Sequence, residues 1–272
     1  MTKIAILEDR AVIAVQGAEA HGLLNGLVTN DLEPLASGKP VYAALLTPQG
    51  KVQFDFLIVK GAGENEYLLD CAADAADRLL KRLTLYRLRA KVVLERRDMR
   101  VAAAWNGEAA LPGISYADPR LTALGSRALV SAGEEPETNA TADDYTAHRL
   151  SLGVPQAADF GFETCFALEA DLADLNAISF TKGCYVGQEL TARMKHRGTA
   201  RKRLLLVQSD AALPDAGTNL TTDGKAIGEI LSVHGATGFA LVRLDRLAEA
   251  GDAPIMAGET TVSVIKPAWL AP

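Results

Sequence analysis

After Arg203 the chain changes texture, and this limits what it can fold into more than any other feature. RLLLVQ, NLTTDGKAIGEILSVHG, FALVRL and TTVSVIK are short alternating runs separated by Gly, Pro and Asp turns. Asp223-Gly224, inside the second run, is a hairpin signal because both residue types tolerate the positive φ of a tight primed turn. Short strands at this spacing form a small all-β unit, and a closed barrel of about six strands leaves none of them with an open edge. The pattern predicts such a barrel over residues 201–272. Residues 1–200 then form a separate body, with the boundary near residue 200.

That body alternates strands with helices, which predicts an α+β architecture. Residues 4–15 read as two short strands around a turn at Glu8-Asp9-Arg10, and residues 17–29 carry helical spacing. VYAALLTPQGKVQFDFLIVK, residues 41–60, reads as a hairpin turning at Thr47-Pro48-Gln49-Gly50-Lys51. A strand follows over 66–71. Residues 73–86 then place Ala76, Leu79, Leu80 and Leu83 on one helical stripe with charges opposite. Further strands are expected at 90–95 and 100–105, an exposed acidic connection at 131–143, and an Asp-capped helix at 142–153.

A net charge of −6 gives no global drive toward nucleic acid or an anionic membrane, and no apolar run is long enough to span a bilayer. The opening MTKIAILEDRAVIAV reads as a strand and lacks the blocks of a signal peptide, so a cytoplasmic protein is expected. One local stretch departs from the acidic balance. RMKHRGTARKR, residues 193–203, is dense in Lys and Arg. It suits either a solvated turn or a positive rim around an anionic ligand.

The three cysteines, Cys71, Cys165 and Cys184, are too widely spaced for a disulfide framework, and no C-x-x-C appears. The chain therefore offers no metal ligand set of its own, and any iron–sulfur cluster would need ligands from elsewhere. Cys71 and Cys165 lie in apolar runs and read as core. Cys184 lies in KGCYVGQE, between two glycines and two residues after Lys182. Two readings stand side by side there, a small apolar thiol in a tight turn or a reactive thiolate near cations. Asp55 interrupts the apolar strand VQFDFLIV, and alternation puts Gln53, Asp55 and Leu57 on one face. Such a carboxylate either meets water at an edge or lines a polar cavity, and Glu169 in FALEADL is a similar case. His21, His148, His196 and His234 have no ligand spacing. Nucleophile elbow, P-loop and dinucleotide-binding glycine motifs are absent from the sequence.

KGCYVGQE has ordered companions. These are Leu24-Asn25-Gly26-Leu27-Val28-Thr29-Asn30-Asp31, Thr47-Pro48-Gln49-Gly50-Lys51 with Asp55, Tyr86-Arg87-Leu88-Arg89, and Arg149 through Pro155. Leu168-Glu169, Leu175 through Phe180, Thr191-Ala192-Arg193 and His196-Arg197-Gly198 flank the octapeptide itself. Together they resemble the YgfZ family of folate-binding iron–sulfur assembly and repair factors, related to the T protein (aminomethyltransferase) of glycine cleavage.

The resemblance implies an aminomethyltransferase-like body of two interlocked subdomains around a tetrahydrofolate pocket, plus the terminal barrel. It implies folate as a cofactor and iron–sulfur enzymes or their assembly machinery as partners. It casts Cys184 as the reactive thiolate, Lys182 as the cation favouring it, and Asp55 as the acid near the folate nitrogens. Tyr185, Gly187 and Gln188 would shape the loop, and Glu169, Tyr185 and Gln188 join the folate-contacting set. Charge and spacing alone suggest Arg193, Lys195 and Arg197 for the glutamate tail. Related aminomethyltransferases often carry two adjacent acids where this chain has Phe54-Asp55, and the T protein does not carry the cysteine motif. Both departures favour an accessory protein over the alternative, a folate-dependent one-carbon (aminomethyl) transferase, and a non-catalytic folate-binding scaffold stands as a third reading.

Overall fold

The computed structural model describes residues 1–198 and 201–270. Two antiparallel sheets build the body. The first runs in the order Val41–Leu46, Val52–Lys60, Glu66–Ala72, Arg10–Gln16, Val93–Arg97. Strand alternation divides its side chains between two faces. Ile13, Leu45, Phe54, Phe56, Ile58, Leu69 and Cys71 pack in one cluster with Leu24 of the Ala20–Leu27 helix and Leu79 and Leu83 of the Ala76–Arg87 helix. Val12, Ala14, Tyr42, Ala44, Leu57 and Leu68 face the other way. They share a core with Val101, Ala103, Trp105 and Leu129 of the second sheet. That sheet runs in the order Lys3–Ile6, Met99–Trp105, Ser126–Ser131, Ile114–Ala117. A strand covered on both faces needs apolar residues at nearly every position, which explains the unbroken character of VQFDFLIV.

The two strands expected over residues 4–15 exist but do not pair with each other. Lys3–Ile6 joins Met99–Trp105, whereas Arg10–Gln16 joins Glu66–Ala72 and Val93–Arg97. The strand expected at 90–95 begins at Val93, because a turn in which Ala90 N donates to Arg87 O occupies the residues before it. The helix expected over 142–153 spans Ala142–Ser151 and is capped by Thr141, not by an Asp. The Thr141 hydroxyl accepts from Asp144 N, and the Asp144 carboxylate accepts from Thr141 N.

The C-terminal unit is a closed six-stranded barrel in the order Lys202–Gln208, Thr237–Arg243, Lys225–His234, Asn219–Thr222, Ile255–Ala257, Thr260–Ile265. Leu205, Val207, Leu220, Ile230, Val242 and Val262 fill it. Asp223 and Gly224 both take positive φ, the requirement of the turn between Asn219–Thr222 and Lys225–His234. The boundary expected near residue 200 falls on residues 199–200, outside the described residues. On either side of it the body and barrel are tied together. Arg203 binds Asp171 and Asp174, each at 2.7 Å, and the buried Asp159 accepts from Arg149 at 2.7 Å and from Ser232 at 2.7 Å.

Candidate functional site

The segment leading into Cys184 is held by the turn that ends the Ala20–Leu27 helix. Thr29 Oγ1 donates to Ala177 O at 2.6 Å and accepts from Ala44 N, while Ser179 N donates to Thr29 O at 3.0 Å. Asn30 Nδ2 donates to Asn176 O at 2.7 Å and to Tyr42 O at 2.8 Å. Lys182 completes the clamp. Its ammonium donates to three backbone carbonyls, Asn25 at 2.6 Å, Val28 at 2.9 Å and Asn30 at 2.7 Å. Burial lowers the Lys182 pKa to about 8, yet only the ammonium form has a proton for each of the three acceptors. With all three donors in that cage, none is left for the thiol of Cys184. Those three bonds make Lys182 an anchor of the loop that carries Cys184.

Beyond the cysteine, Tyr185 is buried in the core, and burial pushes its hydroxyl up to about 12. Gly187 sits at φ 83° against the Thr47–Lys51 turn, where a Cβ would lie 2.6 Å from Thr47 O and 2.9 Å from Leu46 Cβ. Only glycine fits that contact. Gln188 opens the Gln188–Arg197 helix. Gly183, by contrast, has open space around it. Cys184 thus stands exposed on a loop fastened on both sides.

Cys71 and Cys165 are buried, and burial pushes both thiols up to about 12. At pH 8 so little of either is thiolate that alkylation stops at the surface. Iodoacetamide is therefore expected to place one adduct on the native chain, at Cys184, with the other two modified only after denaturation. Peptide mass mapping checks this, and rapid native modification of Cys71 or Cys165 would refute it.

Asp55 lies on the inner face of the first sheet, opposite Ala44, and is 3% exposed. One carboxylate oxygen accepts from Tyr42 Oη at 2.8 Å, whereas Oδ1 is buried with no partner. Burial, and then Asp55 itself, hold the Tyr42 hydroxyl well above its usual range, so Tyr42 stays a donor. An unpartnered buried carboxylate oxygen fits a ligand that brings an N–H. The same Tyr42 and Asn30 link Asp55 to the Lys182 cage, which places the acid and the cysteine loop on one scaffold. Gln53 does not line that wall with Asp55. It sits at a register irregularity, and its amide donates to Glu163 at 2.7 Å.

Glu169 is bound elsewhere. Its carboxylate accepts from Phe166 N at 3.0 Å, and its carbonyl accepts from Leu204 N of the barrel. Burial raises its pKa, partly offset by that backbone bond. No hydrogen bond or ion pair among the described residues joins it to Asp55. Arg193 and Arg197 are exposed one turn apart on the Gln188–Arg197 helix, and Lys195 lies 5.4 Å over the Phe180 ring. A groove of about 1020 Å³ lined by Asn106, Glu108, Ser115 and His148 touches none of these residues.

Sequence reasoning missed Tyr42 and a largely buried ion network beside Asp55, built from Arg10, Asp70, Asp118, Arg120 and Arg127. The available signal was a charge set in an apolar run, as in EYLLDC and SRALVS.

Residues 8–104 match the family model of the GCVT N-terminal domain, and residues 201–272 match that of the CAF17 C-terminal beta-barrel domain. The mitochondrial iron-sulfur cluster assembly factor IBA57 of Homo sapiens is 35% identical over 89% of this chain and 77% of its own length. Its Mus musculus counterpart is 31% identical over 97% of this chain and 84% of its own length. The crystal structure of glycine cleavage system aminomethyltransferase T from Bartonella henselae superposes with a TM-score of 0.76, covering 99% of this chain and 86% of that one. At 13% identity that likeness is one of fold, and it agrees with the aminomethyltransferase-like α+β body and terminal barrel expected from the sequence. The IBA57 relatives are mitochondrial by name, which overturns the cytoplasmic expectation. A strand-like opening carries no information on that choice.

Proposed function

The chain belongs to the IBA57 family of iron–sulfur cluster assembly factors, and from that membership we propose that it supports assembly or repair of iron–sulfur enzymes through the Cys184 thiol, held beside a tetrahydrofolate site. The carrying observation is that Cys184 alone of three thiols is exposed, on a loop clamped by Lys182 and Gly187. Among the described residues no three His, Cys, Asp or Glu side chains converge as a metal set. A cluster in contact with Cys184 would therefore take its remaining ligands from a partner, an iron–sulfur enzyme or a component of the assembly machinery. The YgfZ-like pairing of folate with a cysteine loop is part of this reading, as is the division into a folate-binding body over 1–200 and a barrel over 201–272.

Asp55 would hold the donor groups of the folate heterocycle through its free oxygen, with Tyr42 fixing the carboxylate. Tyr185 and Gln188 would shape the loop side, Glu169 the barrel side, and Arg193 and Arg197 would meet the glutamate carboxylates. Bound tetrahydrofolate would supply one-carbon chemistry. The test is Cys184→Ala in cells lacking the native protein, reading the activity of [4Fe–4S] enzymes. Activity is expected to fall to the level of cells without the chain while the melting temperature is unchanged. Retained activity in a folded variant would remove the cysteine from the mechanism.

The second reading, a folate-dependent aminomethyl transferase, is favoured by the free oxygen of Asp55. It requires turnover of tetrahydrofolate with an aminomethyl donor that Asp55→Asn stops and Cys184→Ala does not.

A further inference from the structure

Leu88 combines two features that a folded chain ordinarily avoids. Its backbone lies at φ 47°, ψ −108°, in the turn closed by Ala90 N and Arg87 O. That is the first central position of a type II′ turn, where glycine is the fitting residue. Among the described residues, the other non-glycine positions at positive φ are Asn65, Asn106, Glu163, Asp171, Asn176 and Asp223, whose polar side chains offer local hydrogen bonds. Leucine has no such recourse. Its side chain is also 84% exposed, so burial does not offset the strain.

The neighbours extend this feature into a surface. Leu85 is 62% exposed and Val93 58%, while Tyr86 and Ala90 between them, and Leu94 just after, are partly buried against the helical side of the first sheet. Val93 opens one of the two edge strands of the five-stranded sheet. Arg89 and Lys91 are exposed within the same segment, a positive corner on a chain whose net charge is −6. One carboxylate meets the segment there, that of Glu19, which accepts from Lys91 N.

We propose that this corner, residues 85–93, docks an acidic segment of a partner protein, with Leu88 as its aliphatic anchor. Backbone strain at an exposed apolar residue persists where function selects it. The cations choose the sign of the partner, and they disfavour a second copy of this chain. Two-fold pairing of the corner would set Arg89 and Lys91 against their own counterparts. No hydrogen bond or ion pair among the described residues joins this corner to the Cys184 loop, and its role does not depend on the chemistry of that thiol.

Leu88→Gly separates strain from contact. Glycine relieves the positive φ, so the isolated variant is expected to melt at or above the wild-type temperature, by up to about 2–4 °C. A fall of several degrees would show that Leu88 supports the fold, and would overturn the proposal. Binding is read with a labelled helical peptide carrying Leu at i and i+4 among Glu residues, and with a control in which Lys replaces Glu. The wild-type chain is expected to bind the Glu peptide at least tenfold more tightly than the Lys peptide, and less tightly as salt rises. Leu88→Gly and the pair Arg89→Glu, Lys91→Glu are each expected to lose tenfold or more. Equal binding of both peptides, no binding, or unchanged binding by Leu88→Gly would refute the docking surface. A dimer in sedimentation that Leu88→Gly dissolves would assign the corner to self-association instead.

Discussion

Asp70→Asn is expected to destabilise the chain by about 3–5 kcal/mol, the cost of leaving buried charge without its partner. Asp70 is fully buried between the sheets. One oxygen meets Arg10 Nε at 2.6 Å, and the other meets Arg127 Nη1 at 2.8 Å and Tyr116 Oη at 3.1 Å. Arg127 also reaches Asp118 at 3.1 Å, and Asp118 pairs with Arg120 at 2.6 Å. Three guanidiniums thus face two carboxylates, with Asp55 the further acid beside Arg10. An amide at position 70 keeps the shape but leaves three cations with one direct counter-charge. At roughly 2–4 °C per kcal/mol for a chain of this class, the melting temperature should fall by about 10 °C. Calorimetry of the variant checks this, and a loss below about 1 kcal/mol would mean that solvent reaches the cluster in the native state. Acid gives the same test without mutation. Burial works to raise the Asp118 carboxyl, but Arg120, its hydrogen bonds and Arg127 outweigh it and hold the group at about 2. A carboxylate lowered on folding stabilises above its unfolded value near 3.8, and that contribution is lost as pH falls toward 2. Asp70 is lowered by Arg10 and Arg127 against burial, so it adds to the same loss.

That network also marks where the sequence stops being legible. Alternation within VQFDFLIV is local, and it showed a strand with Asp55 on the face opposite Phe54 and Phe56. The arginine partners of Asp70 lie 60 residues before it and 57 after it, and no periodicity reports pairing at that distance. Lys3–Ile6 and Arg10–Gln16 were readable as strands, but their assignment to different sheets depends on Met99–Trp105 and Glu66–Ala72. The barrel was the easier case, because three of its six strand pairings join sequence neighbours, across turns such as Asp223-Gly224 that the sequence marks. At the candidate site, Cys184 and its ordered companions could be named from the sequence. What LNGLVTND does for Lys182, offering it three carbonyls, is backbone chemistry that side-chain identity does not encode.

Lys182→Met should therefore cost the cysteine loop its anchorage while leaving the thiol's intrinsic reactivity nearly untouched. Methionine keeps the length of the stem but brings no donor to Asn25 O, Val28 O and Asn30 O, and removing a charged donor from such acceptors costs about 2–3 kcal/mol. Arginine is not expected to rescue it, since a planar fork does not direct three bonds into one cage built for an ammonium. Because Gly187 still holds the far side of the loop on the Thr47–Lys51 turn, the body should remain folded. The expected result is a lower melting temperature, client [4Fe–4S] activity as low as in Cys184→Ala, and an alkylation rate at Cys184 within about threefold of wild type at pH 8. The last measurement separates two roles that activity alone confuses. A cation that activates the thiolate would lower the alkylation rate tenfold or more when removed. A cation that holds three carbonyls leaves the thiol just as reactive, but on a loop no longer fixed where a partner must find it.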